Sequence, residues 1–505
     1  MNKGRVYVTM AISLLGVLIN CFVTLVITPR ITNVLGIEAY GFVNLARSFV
    51  SYASIVLIAV NSFAARYITS AFLKNDDLQF KEYYSTVFWS NIIISGFFSL
   101  LALFVIVFLE RIINIPEGME RDVKLLFTFV FMNFLLTTLT SVFSITGYVK
   151  DRLYQVKLIT CISYIVDAGI IIVLFFVLKP QLWYMGLASL IVGMVLFSGS
   201  FVLTKKYLPE AYFRTDCLSF KAFKSLVGSG IWASLNSIGN MLNSGLDLIV
   251  SNLMLSPTGM GQIAVAKTFT AFSTMITSSI ASAFHPAFLK SYQLDDKSEL
   301  TDSLKYSASV CCIPVSVLYA GFFAIGSHFL KLWVPNENTE LLYILVLIAL
   351  MPCVFEGTLY PLYYTYTLTL NNRIPCLVTI LGGFLNVGGM YFLLKYTSLG
   401  VYAILITTAV IMGIINYLFN PIYMSKCLKI KTFSFYPTII RSIIALIATM
   451  GIFKAVSVVL PPISSWTAFI MSACLLALIG VLVQGIMMIG PRKIMTVFSR
   501  IIKRQ

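Results

Sequence analysis

The sequence predicts an all-α, polytopic membrane protein of about fourteen transmembrane helices, and three observations predict it. Apolar residues make up 59% of the 505 residues and charged residues 11%, far more apolar surface than a soluble interior can hide. Fourteen apolar stretches of roughly twenty residues follow one another, each long enough to cross the hydrocarbon as a helix. The chain also matches itself at an offset of 219–220 residues, the mark of an internal duplication.

The apolar stretches fall near 8–28, 42–63, 84–109, 124–146, 157–178 and 183–203, then near 226–250, 262–286, 307–330, 341–369, 376–394 and 399–421, and last near 437–458 and 466–488. Met1 to Arg5 precede an apolar run that reaches Ile27 without a small-x-small cleavage site, so a retained first helix is expected rather than a signal peptide. Asn20, where a lipid-attachment site needs a small residue before Cys21, speaks against a lipoprotein. With both termini cytoplasmic, 26 of the 36 Lys and Arg fall in inside loops and tails, 8 outside and 2 within helices. That bias orients the chain, with its basic loops on the cytoplasmic side. Lys205, Lys206, Arg214, Lys221 and Lys224, with Arg492, Lys493, Arg500, Lys503 and Arg504, carry much of it. The net charge of +16 is thus spent on orientation and on anionic membrane lipids, and nucleic acid is not an expected partner. Every loop is short, leaving no room for an extramembrane catalytic domain.

The self-match pairs Gly41, Ala46, Arg47, Ser48 and Phe49 with Gly261, Ala266, Lys267, Thr268 and Phe269. It also pairs Asp76-Asp77 with Asp295-Asp296, and Asp167-Ala168-Gly169 with Asn386-Val387-Gly388. Six helices per copy is an even number, so the copies share one orientation and are expected to be related by a pseudo-twofold along the membrane normal. The resulting division is a six-helix lobe over 1–210, a second over 211–425, and two further helices with a basic cytoplasmic tail over 426–505.

Charges inside a membrane are costly and face water or a partner. Arg47, about six residues into the second predicted helix, and Lys267, at the equivalent place in the eighth, are the repeat-matched cations. Arg30, after Pro29 near the end of the first helix, is a third candidate. Arg offers bidentate hydrogen bonds and Lys a point charge, so a basic cavity that binds a phosphate or diphosphate is the functional reading. Outward snorkelling or a structural ion pair is the competing one. Asp247, Glu356 and Asp167 are the intramembrane acids, read as counter-ions or as groups that couple transport to an ion; Asp167 is also explained as a hydrogen-bonding group inside its lobe. The run Tyr360-Pro361-Leu362-Tyr363-Tyr364-Thr365-Tyr366 suits either sugar stacking or helix packing.

No cofactor, metal site or catalytic group is expected. The nine cysteines are scattered without zinc-type spacing, and His285 and His328 lie in different segments.

The segment Val34-Leu35-Gly36-Ile37-Glu38-Ala39-Tyr40-Gly41 leading to Ala46-Arg47 resembles the helix 1–2 junction of Wzx-type polysaccharide flippases. These belong to the multidrug/oligosaccharidyl-lipid/polysaccharide exporter superfamily. Asp247, Asn252 and Gly261-Gln262-Ile263-Ala264-Val265-Ala266-Lys267 are similar to that family's second copy of the junction. Leu248, where relatives often carry Arg, and Gln262, near which an aromatic is common, depart from the pattern. The resemblance implies alternating-access transport of an undecaprenyl-diphosphate-linked oligosaccharide from the cytoplasmic to the outer leaflet. It also implies a cationic cavity, in which Arg30, Arg47 and Lys267 stand where basic residues carry over, and glycan assembly and polymerisation proteins as partners.

Three other readings compete with this one. A multidrug exporter of the same superfamily would share the core helices, but cationic drugs call for an acidic cavity. A major-facilitator carrier would show a long central loop and a basic motif after its second helix, which residues 71–77 do not supply. A membrane-embedded polysaccharide polymerase or glycosyltransferase would need acids or histidines grouped near a membrane face; the outer loop from Glu110 to Lys124 holds Glu117, Glu120 and Asp122 with nothing to pair them.

Overall fold

The computed structural model describes residues 3–209, 213 and 215–490; Arg214 and the basic tail from Arg492 onward lie outside the described residues. Every element among them is helical. The chain packs as two compact units, 1–261 and 262–505.

The first unit contains α1 (Lys3–Leu35), α2 (Ile37–Asn61), α3 (Ala64–Leu73), α4 (Asp77–Val107), α5 (Leu109–Ile112), α6 (Glu120–Ser144), α7 (Thr146–Val149) and α8 (Leu153–Ile172). A π-helical turn, Val173–Val177, ends α8; α9 (Tyr184–Tyr207) and α10 (Phe220–Asn240) follow, then a second π turn, Met241–Gly245, and α11 (Asp247–Met254). Its core forms where α6 lies along α9 and α4, α8 along α1, and α10 along α2.

The long helix α12 (Pro257–Gln293) begins in the first unit and continues in the second. The second unit goes on with α13 (Lys297–Trp333), α14 (Thr339–Leu359), a 3-10 turn (Tyr360–Tyr363), α15 (Tyr364–Leu368) and α16 (Arg373–Tyr396). α17 (Val401–Ile414), a third π turn (Ile415–Phe419), α18 (Asn420–Leu428), α19 (Tyr436–Val459) and α20 (Trp466–Met488) complete it. α13 is the hub, packed against α14, α19 and α20.

Among the described residues, twelve helical stretches are long and apolar enough to cross a membrane. The other two segments expected to do so, 226–250 and 262–286, are helical, within α10, α11 and α12, but fall short in apolar character. The reason is their hydroxyl and amide content: Ser229, Ser234, Asn236, Ser237 and Asn240 on one, Ser273, Thr274, Thr277, Ser278 and Ser279 on the other. Without a hydrophobic drive between helices in lipid, such side chains and close backbone contacts hold helices together. Ser234 accordingly donates to the Ile55 carbonyl of α2, and Tyr67 shares a 2.8 Å hydrogen bond with Ser229.

Two of the helix starts that the offset pairs share one backbone device. Asn75 and Asp295 both adopt the left-handed conformation, with φ of 54° and 53°, and each precedes an aspartate that caps the next helix. Asp76 accepts from the Gln79 amide at 3.0 Å and Asp296 from the Glu299 amide at 2.9 Å. Each cap contributes about 1 kcal/mol to its helix. Asp151 and Leu370 are also left-handed, at φ of 51° and 58°, but no side chain caps the helix that follows either.

Candidate functional site

In the first unit the site starts at Gly36, whose φ of +90° turns the chain from α1 into α2. The helix therefore begins at Ile37, earlier than its apolar stretch suggested, and Arg47 lies ten residues in, about 15 Å along the axis. Leu45 and Ala46 beside it are fully buried whereas Arg47 is exposed. Its guanidinium makes no hydrogen bond or ion pair with any described residue. The charge it acts on is that of Asp167 on α8, so the packing brings together a cation and an acid that lie far apart in sequence.

Arg30 does not close α1, which runs on to Leu35. Its Nε donates to the Phe175 carbonyl at 3.1 Å and its guanidinium lies 5.3 Å from the centre of the Phe176 ring. Both contacts are to the π turn after α8, and the two terminal nitrogens are without a hydrogen-bond partner among the described residues. Losing a charged hydrogen bond and a cation–π contact costs about 2 kcal/mol. Arg30→Ala is therefore expected to lower the melting temperature of the detergent-solubilised protein, a loss that Arg30→Lys only partly restores.

Asp247 is the first residue of α11, 1% exposed, just after the π turn Met241–Gly245. An acid at a helix start is favoured by the helix dipole. The Tyr52 hydroxyl of α2 donates to the Gly245 carbonyl and lies within electrostatic reach of Asp247. Asn243, Ser251 and Asn252 are buried around it, which makes this stretch polar throughout.

The two repeat-related junctions meet within the first unit. Gly41 and Gly261 are in contact, a Cβ on Gly41 falling 3.0 Å from the Gly261 backbone and one on Gly261 overlapping the Ile37 carbonyl. Thr258 donates to Glu38 at 2.7 Å. Asn114 and Asn252 are clamped by three hydrogen bonds of 2.8, 2.8 and 3.0 Å. Next to these contacts Glu38, Glu110, Asn114, Glu117, Pro257 and Thr258 line a cavity of about 580 Å³. Glu110, at the start of this outer loop, pairs with Lys124 at its end.

In the second unit Lys267 lies ten residues into α12 from Pro257, the same position Arg47 has in α2. It is half-buried. The Thr270 hydroxyl donates to the Lys267 carbonyl at 2.7 Å, and the Cys353 thiol of α14 reaches the Thr270 carbonyl at 4.0 Å. Cys353 lies within electrostatic reach of both Lys267 and Glu356. Glu356 sits one turn further along α14, close to Tyr360 and Tyr363. The Tyr363 hydroxyl donates to Asn416 Oδ1 at 2.7 Å, Asn420 Nδ2 donates to the same oxygen at 2.9 Å, and Tyr366 donates to Asn420 at 2.8 Å. These tyrosines are thus packed with satisfied hydroxyls. Their asparagine partners, brought round by the π turn Ile415–Phe419, were missed in the sequence. Asn386, the repeat mate of Asp167, bonds Thr408 at 3.2 Å.

Among the described residues no three His, Cys, Asp or Glu side chains gather to hold a metal ion, and none of the nine cysteines is in a disulfide.

Residues 9–292 match the family model described as polysaccharide biosynthesis protein. The chain belongs to the polysaccharide biosynthesis protein family. A curated relative, the uncharacterized membrane protein EpsK of Bacillus subtilis (strain 168), is 27% identical over 470 residues, covering 91% of this chain and 90% of EpsK. Among solved structures, the lipid II flippase MurJ in an inward closed conformation aligns with a TM-score of 0.64 at 16% identity, over 94% of this chain and 97% of MurJ. An inward-facing multidrug resistance MATE family transporter of the MOP superfamily aligns with a TM-score of 0.63 at 11% identity, over 84% of this chain and 98% of its own. At such identities the likeness is one of fold. This family member is a multi-pass membrane protein with the fold of MOP-superfamily transporters, as the resemblance at the junctions implied.

Proposed function

We propose that this chain flips a polyprenyl-diphosphate-linked oligosaccharide from the cytoplasmic to the outer leaflet of a bacterial cytoplasmic membrane. Both termini are cytoplasmic in this reading. Two lobes, 1–210 and 211–425, rock about a shared basic cleft, and 426–505 adds two helices and a tail. The observation that carries it is Arg47, exposed and without a hydrogen-bond or ion-pair partner among the described residues, far inside a membrane helix, with Lys267 at the same helix position in the other repeat.

The chemistry supports an anionic head group. A diphosphate is too costly to bring bare through hydrocarbon. Arg47 and Lys267 bind it, with Arg30 adding positive charge through its two terminal nitrogens. The prenyl tail stays in lipid and the sugar in a wet cleft. Asp247, Asp167 and Glu356 serve as counter-ions or coupling groups. Glycan assembly and polymerisation proteins are the expected partners for the product.

The test is a leaflet-specific assay. Purified protein in vesicles carrying an undecaprenyl-diphosphate-linked saccharide is expected to expose the sugar to a membrane-impermeant glycosidase much faster than empty vesicles do. Equal rates with and without protein, under every imposed ion gradient, overturn the reading.

A further inference from the structure

The tyrosine run of residues 360–366 divides in the folded chain. Tyr363 and Tyr366 turn towards Asn416 and Asn420, whereas Tyr360 and Tyr364 lie towards α12. Tyr360 is within reach of the Ser278 hydroxyl, and the Tyr364 ring is centred 4.5 Å from that of His285. Further back, Cys353 is beside Ser273 and Thr274 and its thiol reaches the Thr270 carbonyl. α12 and the stretch from α14 into α15 therefore run side by side, Thr270 to His285 against Cys353 to Tyr364, all of it within the second unit.

At helical spacing Lys267, Ala271, Thr274, Ser278, Ser282 and His285 share one face of α12. None of them is buried and none is bulky and apolar. The exposed faces of α16 and α20 show the opposite, with Leu381, Phe384, Leu385, Leu478 and Leu482. Hydroxyl, imidazole and ammonium groups in a row gain nothing from lipid, so this face of α12 meets water. Its hydroxyl protons are already engaged. Thr274 donates to the Thr270 carbonyl at 3.0 Å, Ser278 to that of Met275 at 3.0 Å and Ser282 to that of Ser279 at 2.8 Å. Lone pairs are what these oxygens have left to offer. Glu356, half-buried one turn before Tyr360, adds a carboxyl that makes no hydrogen bond or ion pair with any described residue, and its oxygens are acceptors too. The wall is thus rich in acceptors and edged by aromatic rings.

We propose that this wall is a saccharide subsite, in which Thr274, Ser278 and Glu356 accept hydrogen bonds from the hydroxyl groups of a neutral sugar whose ring lies on Tyr360. A sugar suits it on both counts. Every sugar hydroxyl can donate, and the C–H face of a pyranose ring is apolar and flat enough to cover an aromatic ring. An acidic sugar suits it less, since a carboxylate only accepts and meets mainly other acceptors here. Thr274 lies about 10 Å along α12 from Lys267, so a sugar joined to a phosphate near that cation reaches the wall. The inference rests on the flippase reading and names the part of the substrate that the second unit recognises; it gives Glu356 a place in sugar recognition besides that of counter-ion.

Equilibrium binding to the full-length protein in detergent tests it, with a polyprenyl diphosphate that is bare, carries an N-acetylhexosamine or carries a uronic acid. The wild type is expected to bind the N-acetylhexosamine lipid about tenfold more tightly than the bare one, the worth of one or two net hydrogen bonds and a stacked ring. That preference is expected to vanish in Tyr360→Ala and to persist in Tyr360→Phe, which keeps the ring. Glu356→Gln, whose amide brings donors, is expected to shift the balance towards the uronic acid lipid by about tenfold, a gain that a misfolded protein cannot show. Equal binding of bare and sugar-bearing lipid by the wild type overturns the proposal. So does a wild-type preference in Tyr360→Ala, an unchanged sugar preference in Glu356→Gln, or binding of none of the lipids. A protein that flips the saccharide lipid without these preferences sinks this inference alone; one that shows them and flips nothing sinks the transport reading alone.

Discussion

Replacing Arg47 or Lys267 by alanine is expected to abolish delivery of lipid-linked sugar to the outer leaflet while leaving the protein inserted and folded. Each cation is assigned a charged hydrogen bond to a phosphate that lipid cannot solvate. Truncating one partner of such a pair costs about 3 kcal/mol, roughly a hundredfold in occupancy or rate. Folding is spared at Arg47 because its guanidinium has no hydrogen bond to lose among the described residues. Arg47→Lys separates two mechanisms. A point-charge role predicts partial recovery, whereas bidentate recognition predicts a defect as deep as alanine. Asp167 makes a further distinction, because it is the acid on which Arg47 acts. Asp167→Asn is expected to leave Arg47 more available and to tighten diphosphate binding, the opposite of what a purely structural pair would show. The glycosidase-accessibility assay in vesicles, with melting curves as the control for folding, reads the three Arg47 and Lys267 variants, and diphosphate binding reads Asp167→Asn. Normal flipping by Arg47→Ala and Lys267→Ala removes both from the site.

The parts legible in the sequence were those written in run length and repetition. Apolar stretches marked the helices because each must satisfy its own backbone in lipid. The 219–220 offset placed Asp76 and Asp296, whose caps recur in the folded chain. Boundaries were less legible: α2 opens with Ile37-Glu38-Ala39-Tyr40-Gly41, a turn too polar to count as apolar yet begun firmly by Gly36. For the same reason α10 and α12, which the sequence offered as apolar stretches, fall short of the apolar character of the other twelve. The site itself was legible residue by residue and not in its pairings. Nothing along the chain announces that Arg47 acts on Asp167, that Asn114 clamps Asn252, or that a π turn carries Asn416 to Tyr363. Such pairs are set by helix rotation and packing, to which composition and spacing are blind.

Gly261→Ala is expected to open what the glycine contact closes. A methyl group there overlaps the Ile37 carbonyl, backbone that cannot swing aside as a side chain could, and overpacking of this kind costs about 1–3 kcal/mol. The cost falls on the conformation in which the two junctions touch, not on each helix by itself. The population therefore shifts away from that conformation by roughly ten- to a hundredfold, while the melting temperature changes little. Ile37 is 2% exposed beside this contact, which makes a cysteine at position 37, in a background without the nine native thiols, a suitable reporter. Its labelling by a membrane-impermeant maleimide added outside is expected to be slow in the parent and at least tenfold faster with Gly261→Ala. Gly41→Ala should act in the same direction but more weakly, since its Cβ would lie 3.0 Å from the Gly261 backbone and meet chiefly the flexible end of Met260. If labelling stays slow in both while stability drops, the glycines are packing for a fixed joint, and the seam that alternating access requires must lie elsewhere.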